Sequence, residues 1–163
     1  MIVALADGVV CGFAIAEYID RPESPYIFAR RFYHIEEFGV DAAFRRKGAA
    51  TALIAFCRQE ATRMRFDRIE LDVQMTRDGV VMVTHDTSLR RCTGRNENIY
   101  DLTCNEVRKL DAGRWFGQKY TGAKVPTLEE VLDLCKGKIQ LNIEIKPNAA
   151  TPELEAETVR IIR

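Results

Sequence analysis

The sequence predicts a mixed α/β chain, with antiparallel hairpin strands in its first third and alternating helix and strand thereafter. Three observations point to this. Asp7-Gly8 separates two apolar runs, and both central positions of a type I′ turn need positive φ. From Gly48 to Met64 the apolar spacing changes to a helical period. Ile69 to Val73 and Ile139 to Ile145 then alternate apolar and polar residues, as strands do.

The elements follow in order. Ile2 to Ala6 and Val9 to Tyr18 form the hairpin, and the prolines of Asp20-Arg21-Pro22-Glu23-Ser24-Pro25 mark a loop. Ile27 to Val40 is a third, long strand region. In the helix that follows, Ala52, Leu53, Phe56, Glu60 and Met64 share one face, with Arg58, Gln59 and Arg63 outside. Ile69, Leu71 and Val73 face one way on the next strand; Glu70 and Asp72 face the other. Val80 to Val83 is a short strand, and Thr84 to Asn98 reads as polar and irregular. Thr103-Cys104-Asn105-Glu106 and Thr127-Leu128-Glu129-Glu130 are capping boxes, each starting a short helix. Leu141, Ile143 and Ile145 share a face of the later strand, opposite Asn142, Glu144 and Lys146. Pro147 stops it, and Pro152 to Arg163 is the final helix.

Length and composition set bounds. The 163 residues suit one ordinary domain or two small ones, and 47% hydrophobic with 29% charged is a globular balance. Lys plus Arg equals Asp plus Glu at 24 each, so the basic excess of a nucleic-acid binder is missing. The five cysteines are an odd number and none forms a C-x-x-C pair, which fits free thiols in a reducing, cytoplasmic setting. No signal peptide and no apolar run long enough to span a bilayer is expected.

Phe44-Arg45-Arg46-Lys47-Gly48-Ala49-Ala50 lies between a strand and a helix. Backbone N–H groups at a helix start, with the positive end of the helix dipole, suit a phosphate. Gly48 allows close approach, and Arg45, Arg46 and Lys47 add charge. A plain basic loop ended by glycine would read the same way. Residues 1–73 resemble the GNAT family of acetyl-coenzyme A-dependent N-acetyltransferases, with Arg45-x-x-Gly48-x-Ala50 matching its pyrophosphate-binding signature. The resemblance implies coenzyme A or acetyl-coenzyme A held by Arg45, Arg46, Lys47, Gly48, Ala49 and Ala50, beside the strand ending at Val40. Glu36 or Glu37 would be a general base in such a fold. The resemblance implies that the family's acceptor side would be built by further strands and helices, before residue 1 and after residue 73.

Glu70 and Asp72 on one strand, with Glu144 on a later one, could converge on a hard divalent cation. Such an ion polarises phosphoryl oxygens. His85, followed by Asp86, offers an acid or base. Alternating carboxylates also arise where a strand face merely meets water. Residues 69–163 resemble glycerophosphodiester phosphodiesterases, with segments in matching order: Ile69 to Gly79, Thr84-His85-Asp86, Leu110-Asp111-Ala112-Gly113, Pro126 to Glu130 and Asn142 to Lys146. That family is a TIM barrel that hydrolyses glycerophosphodiesters. The resemblance implies Glu70, Asp72 and Glu144 as ligands of Mg²⁺ or Ca²⁺, His85 as catalytic acid or base, and Lys146 on substrate or phosphate. The family's first strand ends in a His-Arg pair; here the other histidine, His34, is followed by Ile35.

The two resemblances meet at Ile69 to Val73, where both families have a strand after a helix. The expectation is a recombined or engineered chimera: GNAT-like hairpin strands running through a shared βαβ unit into half of a TIM-barrel-like βα region, folded as one unit. Its function would be that of a partial metal-dependent phosphodiesterase, catalytically incomplete, with a coenzyme A-binding acetyltransferase module as the alternative. Its partners would be small-molecule phosphodiesters or coenzyme A. Open sheet edges would favour a homo-oligomer.

Overall fold

The computed structural model describes residues 2–21, 30–41, 44, 49–63, 68–137 and 139–163. Strands β1 (Ile2–Ala6) and β2 (Val9–Arg21) form an antiparallel hairpin. Asp7 and Gly8 close it with φ of 50° and 79°, the positive values a tight turn between right-twisted strands demands. Strand β3 (Arg30–Asp41) pairs antiparallel with β2, and helix α1 (Ala49–Arg63) follows. Strand β4 (Arg68–Met75) then lies parallel to β3, with Tyr33, His34 and Ile35 opposite Ile69, Glu70 and Leu71. This is the βαβ crossover unit expected of parallel neighbours.

Strand β5 (Val81–Val83) turns back antiparallel on β4. Beyond it, the segment expected to be irregular holds helix α2 (Arg90–Thr93) and a bridge between Ser88 and Asn98. Leu89, Cys92 and Ile99 are buried there with Met82 and Val107, so a small second core orders it. Its surface-like composition hid two inward side chains, Leu89 and Cys92.

Helix α3 (Cys104–Lys109) and, later, helix α4 (Leu128–Cys135) both start at complete capping boxes, Thr103 with Glu106 and Thr127 with Glu130. Strand β6 (Ala123–Lys124), which the sequence did not signal, pairs antiparallel with Val40 and Asp41 of β3. Gly113 is required nearby, because a Cβ there would stand 2.0 Å from the Tyr120 carbonyl oxygen. Strand β7 (Gln140–Ile145) runs parallel to β4, setting Asn142 beside Glu70 and Glu144 beside Asp72. Helix α5 (Leu154–Ile162) closes the chain.

Among the described residues, all seven strands belong to one sheet. The main core is equally continuous: Cys11, Ala14, Tyr33 and Ile35 join Leu53, Cys57, Leu71, Val73, Leu128 and Leu154 in one cluster. β4 is its centre, with neighbours β3, β5 and β7. Leu71, 2% exposed, is therefore a sensitive position. Leu71→Ala is expected to destabilise the protein by about 3 kcal/mol, from lost burial plus the cavity left behind. Chemical denaturation would show it as a lower midpoint at unchanged m-value; an unshifted midpoint would contradict this packing.

Arg45, Arg46, Lys47 and Gly48, the expected phosphate turn, lie outside the described residues. Ala49 is buried at the start of α1, where Ala50 follows it. Val40, expected beside coenzyme A, has Lys124 of the chain's own β6 as its strand partner. Among the described residues, no helix is long and apolar enough to cross a membrane. The five cysteines are free thiols, four of them buried.

Candidate active site

Period-two alternation puts Glu70, Asp72 and Gln74 on the face of β4 opposite Ile69, Leu71 and Val73. All three polar side chains are only 2% exposed, so this face is as buried as the apolar one. Burying carboxylates in this way is costly unless cations or hydrogen bonds compensate them.

The compensation comes from both neighbouring strands. His34 stands opposite Glu70 in the β3–β4 register. Its Nε2 is 3.0 Å from Asp72 Oδ2 and 3.1 Å from Glu70 Oε2. Its Nδ1 is 3.5 Å from Glu17 Oε1 on β2, at the outer limit of a hydrogen bond. From the residue just after β7, Lys146 Nζ lies 2.8 Å from Asp72 Oδ1 and 2.6 Å from Glu144 Oε1. Glu144 itself is half exposed.

These contacts set the titration of the site. Burial pushes the Glu70 carboxyl up, and the Asp72 and Glu144 charges add to that; His34 and Lys146 oppose it. The result is a pKa of about 7. Burial acts on Asp72 in the same direction but is outweighed by hydrogen bonds from His34 and Lys146, so its pKa falls below the ordinary value. For His34, burial works to lower the pKa, but the Asp72 hydrogen bond and the Glu70 charge overcome it and raise the pKa. Lys146 is likewise raised: Asp72 and Glu144 outweigh its desolvation.

Of the site's buried carboxylate oxygens, Asp72 Oδ1 meets only the Lys146 ammonium, and one oxygen has no partner at all. Glu70 Oε1 is buried with no hydrogen-bond partner. The ligand atoms of His34, Glu70 and Asp72 all lie within 4.8 Å of one another. Three carboxylates meet two cationic groups here, and a carboxylate oxygen remains unpaired. The donor set is mainly hard oxygen, which suits a divalent cation such as Mg²⁺ or Ca²⁺.

His85 follows β5, its ring centroid 6.1 Å from that of His34. Gln74 Nε2 donates to the His85 carbonyl and to Thr87 Oγ1, both at 3.2 Å. The fold thus brings Glu70 and Asp72 together on one face of β4 and sets Lys146 between Asp72 and Glu144, while the Glu144 carboxylate stands outside the cluster of ligand atoms and His85 lies beside His34. The residue missed from sequence is His34. Without the His-Arg signature, only its strand register signals its place.

Residues 56–162 match the glycerophosphoryl diester phosphodiesterase family. Residues 1–81 match the acetyltransferase (GNAT) family. A glycerophosphodiester phosphodiesterase of Caldanaerobacter subterraneus is 42% identical over 99 residues, covering 60% of this chain and 41% of that protein. Another, of Bacillus subtilis, is 40% identical over 109 residues, covering 62% of this chain and 37% of that protein. The chain therefore spans about two fifths of the length of these curated relatives. Among solved structures, a phosphodiesterase of Oleispira antarctica in complex with sn-glycerol-3-phosphate aligns with a TM-score of 0.59 at 31% identity, over 69% of this chain and 44% of that one. A glycerophosphodiester phosphodiesterase of Agrobacterium tumefaciens aligns with a TM-score of 0.53 at 32% identity, over 65% and 46%. With its match running from residue 56 to residue 162, this chain belongs to the glycerophosphoryl diester phosphodiesterase family.

Proposed function

We propose that the chain carries a compact, metal-dependent site for hydrolysis of glycerophosphodiesters, with sn-glycerol 3-phosphate as the phosphate-bearing product. The observation that carries this reading is the buried, unpaired Glu70 Oε1 beside Asp72 and His34. Glu70, Asp72 and Glu144 would hold a divalent cation, which would polarise the phosphoryl oxygens and neutralise developing charge. Lys146, already poised between Asp72 and Glu144, supplies positive charge for the phosphate. His34 and His85, whose ring centroids are 6.1 Å apart, would divide the acid and base roles.

The origin of the chain bears on this reading. The two family matches overlap on residues 56–81, which contain the end of α1 and all of β4. This supports a chimera in which an acetyltransferase-like half donates β3, and with it His34, to a phosphodiesterase-like half. One continuous core across both halves supports a single folding unit.

Calorimetric titration of Mg²⁺ and Ca²⁺ into the wild type and Asp72→Ala, followed by glycerophosphocholine hydrolysis, tests the function. Binding of one ion and measurable turnover are expected in the wild type, and both should vanish in the variant. A wild type that binds neither ion and releases no choline would sink the proposal.

A further inference from the structure

His85 donates from its Nδ1 to Asp86 Oδ1 at 2.8 Å, since a carboxylate can only accept. The other oxygen, Asp86 Oδ2, accepts from Arg91 Nε at 2.6 Å. The Arg91 guanidinium carbon lies 5.6 Å from the Trp115 ring centroid, within cation–π range. Trp115 is in turn fixed, its Nε1 donating to the Ala112 carbonyl at 3.0 Å. These residues come from separate stretches of chain: the turn after β5, the α2 helix and the loop after α3. Three linked contacts therefore converge on one imidazole whose backbone Gln74 already holds.

We propose that Asp86 and Arg91 are positioning residues that lock His85 in its Nδ1–H tautomer, with Trp115 as the platform that holds the arginine. The lock leaves Nε2 as the nitrogen that exchanges a proton with the substrate. A neutral imidazole otherwise samples both tautomers, and only one presents a lone pair at Nε2. Asp86 by itself could rotate, being about a third exposed. Arg91 Nε occupies its second oxygen and removes that freedom. Arginine suits the task because its planar group can pair with a carboxylate while stacking on a ring, which lysine cannot do. Asp86 stays ionised throughout: its burial raises the pKa, but Arg91 and His85 outweigh that and lower it.

This inference rests on the phosphodiesterase reading for its consequence in catalysis, but its structural content can be measured separately. The protein has only two histidines, so long-range ¹H–¹⁵N spectra of ¹⁵N-histidine-labelled protein resolve both rings, and His34→Gln assigns them. His85 is expected as the Nδ1–H tautomer in the wild type. Asp86→Asn and Arg91→Met should give a mixture, Arg91→Lys should restore the wild-type form in part, and Trp115→Leu should behave like a weak Arg91→Met. If Arg91→Met does not fold, Trp115→Leu reads the same lock from its far end. A wild-type Nε2–H signal, or an unaltered tautomer in folded Arg91→Met or Trp115→Leu, overturns the inference. In the hydrolysis assay Asp86→Asn is expected to lower kcat about a hundredfold and Arg91→Met about tenfold, with KM little changed, as when a histidine's orienting partner is lost. A wild type without turnover would refute the phosphodiesterase reading while leaving the tautomer result standing.

Discussion

His34→Gln will lower glycerophosphodiester hydrolysis by about a hundredfold or more, although His34 lies outside the residues that match the phosphodiesterase family. The reason is its place in the sheet. The β3–β4 register fixes His34 opposite Glu70, and its Nε2 reaches two buried carboxylates at about hydrogen-bond distance. No other described imidazole lies beside His85. Glutamine keeps a similar volume and a hydrogen-bond donor, so the sheet should form as before, and circular dichroism would verify that. A folded variant with wild-type turnover would show that His85 works without a second imidazole. The site would then belong to the phosphodiesterase-like half alone.

The second large effect is on stability against pH in the metal-free protein. The Glu70 pKa rises from 4.5 to about 7 on folding. The fold therefore favours the protonated carboxyl. The resulting stabilisation is fully present below about pH 4.5 and is lost as the pH climbs to 7. At 1.36 kcal/mol per pKa unit, the loss is about 3 kcal/mol. His34 adds to the trend, because a raised histidine pKa stabilises the fold at pH below the ordinary value and is lost as pH rises through the folded value. Asp72 acts oppositely and at lower pH, its contribution disappearing as the solution turns acid. Thermal melts without metal should therefore fall by roughly 5–10 °C between pH 5 and pH 8. Glu70→Gln should flatten most of that slope. Saturating Mg²⁺ or Ca²⁺ should restore the wild type at pH 8, since a ligand of the native state stabilises it by mass action. A midpoint that rises steadily from pH 5 to pH 8 without metal would disprove this account of the site.

Much of this was visible in the sequence, for reasons that differ from residue to residue. The Asp7-Gly8 turn, the two capping boxes and the alternation of Ile69 to Val73 are local signals, set by a few neighbouring residues. Glu70, Asp72, Glu144 and Lys146 were legible because strand alternation gives the face and a family motif gives the partner strand. The burial of that face was not, because it depends on what packs over β4. β6 was invisible for the same reason: Ala123 and Lys124 become a strand only because Val40 and Asp41 lie alongside. His34 shows the limit most clearly. Its flanking residues point to another family, and only its position across from Glu70 brings it to the site.

That pairing has a consequence for how such a chain could arise and persist. A recombination event that exchanges whole secondary-structure units preserves what neighbouring strands require of one another, whatever the ancestry of each piece. Length changes in the connection after β3 can leave the β3–β4 register untouched. A one-residue insertion between Tyr33 and His34 cannot, because side chains alternate between faces and the imidazole would turn away from Glu70. Selection acting on this chain would thus tolerate drift along the connection and purge it within a few residues of one strand.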